Sequence, residues 1–292
     1  RDPALLEHLG TGPEYVADES ARPGAILRAL WGAGMNIRWK NLALLLGLVL
    51  AVAFPAAVRA ETLDSLIARY VEARGGLERL ESIRSVRASG RAIAGPGQEA
   101  LVTREIRTPG HARTEFTFQG VTAVYACDGS RCWYVAPLSG VFEAELMTEA
   151  DTSLAIEEAD IVGPLVNWRS KGHSVELLGK ETIDGRETYK VKVTLRGGGI
   201  QTNYLDAESA LIVRSETTRT VGDQSFEVET NFSDFRPIGG VVFPHSIKSG
   251  AKGRPDFPEG RPDSLEIVVE EAELNVPLDD ARFEMPEGGP DS

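Results

Sequence analysis

Tyr125-Ala126-Cys127-Asp128-Gly129-Ser130-Arg131-Cys132-Trp133-Tyr134 carries the only two cysteines of the chain, with four residues between them and Asp-Gly at the tip. Asp-Gly set between apolar and aromatic arms is a tight-turn signal, so the stretch predicts a β-hairpin whose two sulfurs face each other across the strands. In an oxidising compartment such a pair closes as a disulfide. A loop this short contributes about 2 kcal/mol at most, a local staple on one hairpin. A redox-active pair is disfavoured because the spacing is not Cys-x-x-Cys and neither residue opens a helix. Two thiols alone are a poor metal site.

Outward from the hairpin, the alternation of strands continues in both directions. Upstream, Ser85 to Ala94 breaks at Gly95-Pro96-Gly97, Ala100 to Thr108 at Pro109-Gly110, and Arg113 to Phe118 near Gly120. Downstream, Val141 to Met147 is followed by Ser174 to Leu178, Thr188 to Leu195, Ile200 to Leu205, Leu211 to Val221, Ser225 to Phe235, Val241 to Lys248 and Leu265 to Leu274. Their turns are Asp184-Gly185, Gly197-Gly198-Gly199, Asp206 to Ser209, Gly222-Asp223, Gly239-Gly240 and the polar loop Gly250 to Asp263.

Two segments read as helical. Thr62 can cap a helix in which Leu63, Leu66, Ile67, Tyr70 and Val71 recur at helical spacing until Arg74-Gly75-Gly76, and a short turn from Leu77 to Ile83 follows. Between Thr148 and Trp168 the alternation lapses, and Leu154, Ile156, Ile161, Leu165, Val166 and Trp168 fit one or two short helices interrupted by Gly163-Pro164. The fold class is α+β, mostly β: one strongly curved antiparallel sheet rather than a parallel α/β fold.

Ahead of the first helix, Met35-Asn36-Ile37-Arg38-Trp39-Lys40 leads into the apolar run Leu42 to Phe54 and then Pro55-Ala56-Ala57-Val58-Arg59-Ala60. A basic start, a short apolar core and small residues before Glu61 predict a signal peptide over 35–60, cleaved after Ala60. The core is about 13 residues, short of the roughly 20 that span a bilayer, which disfavours an anchor. Residues 1–34 are read as upstream sequence or a mis-called leader, because the chain opens on Arg1. The expected organisation is then a single domain over 61–286 and a short flexible tail over 287–292, in a protein that works in the periplasm.

Six basic and five acidic residues fall before Glu61, so 25 of the 31 Lys and Arg and 39 of the 44 Asp and Glu lie in the remainder. A net charge near −14 excludes a nucleic-acid role and repels anionic headgroups.

Several segments resemble, in order and spacing, the outer-membrane lipoprotein-sorting proteins, the LolA-like periplasmic carriers. They are Tyr70-Val71-Glu72-Ala73-Arg74-Gly75-Gly76-Leu77-Glu78-Arg79-Leu80, Asp128-Gly129 with Trp133 and Pro137, Phe232-Ser233-Asp234-Phe235-Arg236, Phe243-Pro244-His245, and Leu274-Asn275-Val276-Pro277 to Asp280-Ala281-Arg282-Phe283. The resemblance covers nearly all of 61–286. It implies a half-open β-barrel covered by short helices, a hollow that shields lipid or lipoprotein acyl chains, and exchange with an inner-membrane donor and an outer-membrane acceptor. It implies no cofactor and a monomer.

In that family an Arg just before a Pro in the early strands holds the lid in the closed, empty form. Here the place is taken by Ile106-Arg107-Thr108-Pro109, with Thr108 inserted, so Arg107 is the lid candidate; an exposed Arg on a strand edge is the competing reading. Candidates for the lining are Phe116, Phe118, Trp133, Trp168, Tyr189, Tyr204, Phe226 and Phe232, with Trp133 and Trp168 better suited to core.

Catalysis is disfavoured. His111, His173 and His245 are well separated and no zinc-type pairing is present. Asp128-Gly129-Ser130-Arg131 is not a nucleophile elbow. Glu157-Glu158 and Glu270-Glu271 read as solvated faces. The non-enzymatic alternative to a carrier is a periplasmic lipid sensor of the same fold that binds a protein partner.

Overall fold

The computed structural model describes residues 61–221, 224–252 and 264–286. The leader, the signal segment, most of the Gly250 to Asp263 loop, the Gly222-Asp223 turn and the tail expected from the sequence lie outside the described residues.

Thirteen strands form one antiparallel sheet: β1 (Ser85–Gly95), β2 (Gln98–Arg107), β3 (His111–Phe118), β4 (Val121–Asp128), β5 (Cys132–Ala136), β6 (Val141–Leu146), β7 (Ser174–Ile183), β8 (Arg186–Thr194), β9 (Ile200–Asp206), β10 (Ile212–Val221), β11 (Gln224–Ile238), β12 (Val241–Ala251) and β13 (Ser264–Leu274). The spatial order is β6-β5-β4-β3-β2-β1-β13-β12-β11-β10-β9-β8-β7. Two meanders therefore meet at a single seam, where β1 pairs with β13. Turn chemistry explains why consecutive strands stay neighbours: Gly95, Gly97, Gly110, Gly120, Asp184 and Gly185 occupy the tight connections.

Among the described residues, three α-helices accompany the sheet: α1 (Leu63–Ala73), α2 (Leu77–Ser82) and α3 (Glu149–Glu158). The expected cap of α1 is present, the Thr62 hydroxyl accepting from the Ser65 N–H at 3.2 Å. Its other end is tied to β12: the Arg74 side chain donates from Nε to the Val242 carbonyl at 2.7 Å and from Nη1 to the Tyr70 hydroxyl at 2.8 Å. Gly75 follows with φ +117°, and a Cβ there would come within 2.3 Å of the Gly240 carbonyl oxygen. Only glycine permits both that backbone conformation and that approach.

Leu66, Tyr70, Leu80 and Ile83 pack with Leu165 and Val166 of the β6–β7 connection onto Val175, Val191, Val193, Leu205 and Val241. This is the main core, and it lies on one face of the sheet. A second, smaller cluster of Ala126, Trp133 and Ala144, joined by Val124, Val135 and Met285, lies apart from it.

β6 bonds only to β5 and β7 only to β8, so the sheet is open and not strongly curled, where the sequence reading expected a strongly curved half-barrel. A barrel gathers its apolar side chains into one interior. Here they are divided between two faces, so no single interior draws the two edges together.

Candidate functional site

Residues directly opposed in an antiparallel pair point to the same side, and alternate residues point to opposite sides. Register therefore assigns side chains to faces. The hairpin disulfide provides a fixed point: Cys127 opposes Cys132, the two are bonded, and the Cys132 sulfur lies 3.8 Å from the Thr152 carbonyl of α3. The face bearing the disulfide is thus the helix-bearing face.

On that same face, the pairings Phe232↔Ile247, Ile247↔Ile267, Ala92↔Ile267 and Ala92↔Ala100 form one apolar row, which continues through Phe118↔Val121. A second row runs parallel to it through Val269, Gly90, Val102, Phe116 and Ala123. At about 4.8 Å per strand, the first row spans roughly 29 Å. Ala92 and Val102 are buried, whereas Phe116, Phe118, Phe232, Ile247 and Ile267 are half-buried. Phe116 meets Tyr125 edge-on at 6.3 Å between ring centroids, and Tyr125 stacks on Tyr134 at 6.1 Å. Small residues at alternate positions of β1 (Ala88, Gly90 and Ala92) keep the floor low between the aromatic flanks.

The sequence candidates separate into groups. Phe116, Phe118 and Phe232 share these rows. Tyr189 belongs to the helix-packed core of the same face, and Trp168 packs against it under the Arg169 guanidinium, 4.1 Å from the ring centroid. Trp133 and Tyr204 point to the opposite face. Phe226 lies in β11, and its side chain is outside the described residues. Ala92, Val102, Ile247 and Ile267 were not singled out from the sequence, although the period-2 pattern of small and branched residues carries that signal.

The opposite face is charged and locked. Near β9 and β10, the Tyr204 hydroxyl donates to Glu216 Oε2 at 2.9 Å, and Lys252 reaches Glu216 Oε1 at 2.6 Å. Burial pushes the Glu216 carboxyl up, but these two hydrogen bonds outweigh it and hold the group below its ordinary range. Nearer β1–β5, the segment after β13 crosses the strands. The Asn275 side chain accepts from the Arg84 N–H, and the Ser85 hydroxyl donates to the Val276 carbonyl. Arg107 binds the Leu278 carbonyl and the Asp280 carboxylate and lies over the Phe283 ring. Arg107 therefore faces this C-terminal segment. Arg113 Nη1 donates to the Arg282 carbonyl at 3.0 Å, and the Trp133 indole N–H donates to the Phe283 carbonyl at 2.9 Å.

Beneath the segment, Glu105 is 3% exposed at its side chain and receives hydrogen bonds from Arg87 and Arg282. Burial raises its carboxyl, and the two guanidinium groups more than reverse that, leaving it below the usual carboxylate range. Between Trp133, Arg113, Val135, Glu284 and Met285 a cavity of about 450 Å³ remains.

The histidines are dispersed. Each has Nδ1 against a backbone atom: His111 with the Pro109 carbonyl, His245 with the Phe243 carbonyl, and His173 accepting from the Arg196 N–H. Among the described residues, no group of three or more His, Cys, Asp or Glu is placed to hold a metal ion.

The geometry is thus an open antiparallel sheet with helices over part of one face and an apolar stripe beside them. No family model and no curated protein matches the chain. Among solved structures, it is similar to a DUF1329 family protein from Desulfovibrio piger, with a TM-score of 0.49 and 14% identity over 76% of this chain and 96% of that one. It is also similar to a LolA superfamily protein from Nitrosomonas europaea, with a TM-score of 0.48 and 16% identity over 77% and 98%. A third is an outer membrane lipoprotein-sorting protein domain from Vibrio parahaemolyticus, with a TM-score of 0.47 and 10% identity over 74% and 97%. The last two carry the description that the sequence motifs resemble.

Proposed function

We propose that this protein is a non-enzymatic periplasmic carrier that holds the acyl chain of a lipid or lipoprotein on the helix-bearing face, taking it from an inner-membrane donor to an outer-membrane acceptor. The observation that carries the reading is the pair of apolar rows through Phe232, Ile247, Ile267, Ala92, Phe116 and Phe118, left half-buried beside the helices. A fully buried CH₂ contributes about 0.8 kcal/mol, so the apolar rows favour an acyl chain over water in proportion to how much of it they cover. The motif resemblance in the sequence supports the same reading.

The test is mass spectrometry of an organic extract of the protein purified from a bacterial periplasm, beside native mass spectra of the intact protein. Stoichiometric phospholipid, acyl chain or lipopeptide is the expected result. A ligand-free protein that also ignores added lipid overturns the carrier and favours a partner-binding sensor.

A further inference from the structure

The two outer margins of the sheet are guarded differently. β7 carries a bulge between Leu177 and Gly179, and Gly179 has φ +125°. Its charged side chains are tied to β8, Lys180 to Glu187 at 2.6 Å and Glu181 to Lys190 at 2.9 Å. Bulges and lysines on an edge oppose the addition of another strand. β6, at the other margin, has no lysine or arginine. Among the described residues no strand lies beyond it.

Backbone register defines what β6 offers. The Met147 N–H donates to the Cys132 carbonyl at 2.8 Å, and Tyr134 opposes Glu145, so Met147 and Glu145 turn their peptide groups toward β5. Leu146 between them, and Ala144 beside Glu145, turn theirs outward. The same margin is apolar: Leu138, in the turn Pro137–Ser139, is 65% exposed, Phe142 is 76% exposed and Leu146 is 36% exposed. It is also acidic. Between Arg131 and Arg169 the sequence holds seven Asp or Glu and no Lys, Arg or His. Two of these acids, Glu143 and Glu145, stand on β6 itself, and Glu149 and Asp151 follow in the first turn of α3.

We propose that β6 is the docking edge for an extended segment of a partner protein, with Lys or Arg alternating with apolar residues, which joins the sheet as a further strand. Main-chain hydrogen bonds to Ala144 and Leu146 supply the pairing, basic side chains meet Glu143 and Glu145, and apolar ones cover Phe142 and Leu146. Charge selects this occupant over the others. A second copy of the chain would set Glu143 and Glu145 against the same residues, and anionic headgroups of a membrane would be repelled. The proposal stands apart from the acyl-binding reading, because it uses the margin of the sheet and not the apolar rows.

The test titrates the protein with a fluorescein-labelled heptapeptide of alternating Lys and Val, with the same peptide N-methylated at every amide, and with a Glu–Val counterpart, read by fluorescence anisotropy. The Lys–Val peptide should bind, and the other two should bind about tenfold more weakly, one for want of main-chain donors and one for its charge. Hydrogen exchange over 142–147 should slow in the complex. Leu146→Pro removes an outward N–H while sparing the ladder to β5, and should weaken the Lys–Val peptide about fivefold. Equal binding of the N-methylated peptide means attraction by charge without strand pairing and overturns the proposal. Unchanged binding by Leu146→Pro places the peptide elsewhere and overturns it too, as does no binding at all. Capture of phosphatidylcholine vesicles in place of the peptide, abolished in Phe142→Ser, would assign the margin to a membrane instead. The peptide comparison on the unmodified protein decides the matter even where a variant does not fold.

Discussion

The two halves of the sheet are stabilised by different means. The β7–β13 half rests on Leu66, Tyr70, Leu80, Leu165 and Val166, an aliphatic core in which no single contact is directional. The β1–β6 half is held on its other face by a peptide strap whose contacts are directional: Arg107 to Leu278 and Asp280, Arg113 to Arg282, Arg282 to Glu105, and Trp133 to Phe283. The difference teaches where the molecule can yield. Burial is lost only by unfolding, whereas hydrogen bonds and ion pairs can be exchanged for water one at a time.

The sharpest way to break the contrast is to cut into the core. Leu66→Ala should cost about 2–5 kcal/mol, lowering the melting temperature of the whole domain. A loss confined to local exchange around α1, with unchanged melting, would mean that the helix layer is not integral. Next in size is Glu105→Gln, expected to cost about 2 kcal/mol by leaving Arg87 and Arg282 without their anion, read by denaturant unfolding.

The same group predicts a pH response. Its carboxyl is lowered in the folded protein, so its stabilisation is present above the ordinary carboxylate range and is lost as pH falls through the depressed value. Unfolding free energy should therefore decline on acidification below about pH 4 more steeply in the unmodified protein than in Glu105→Gln. Equal slopes would remove Glu105 from the strap. The smallest effect is expected for Trp133→Phe, about 1 kcal/mol from one lost hydrogen bond, seen as faster amide exchange over 276–286 while the α1 core stays protected. Equal acceleration in both places would erase the distinction between the halves.

Much of this was legible in the sequence. The Asp-Gly hairpin and its disulfide, the Thr62 cap and the Arg74-Gly75-Gly76 helix end depend on neighbours a few residues away, and short-range chemistry reports them. Nearly every strand was visible for the same reason. The openness of the sheet was not legible, because it depends on how apolar area is divided between faces, and period-2 alternation does not say which face of one strand matches which face of the next. The same limit mixed Trp133 and Tyr204 with Phe116, Phe118 and Phe232 among the lining candidates. The strap was hidden for another reason: its segment carries ordinary loop composition, and its partners Arg107, Arg113 and Glu105 lie about 170 residues away.

The seam between β1 and β13 has a consequence for how the chain is made. These strands lie near opposite ends of the described domain, with Val86 opposite Leu274. Synthesis therefore produces one meander and then the other, and the joint between them must wait for the last strand. Contacts of such high sequence separation form late and slowly. A chain stopped before Ser264 would hold two unjoined ribbons, each with a bare strand at its margin and prone to pair with other copies. The closing strand is thus a checkpoint: only a polypeptide made through β13 can become one sheet.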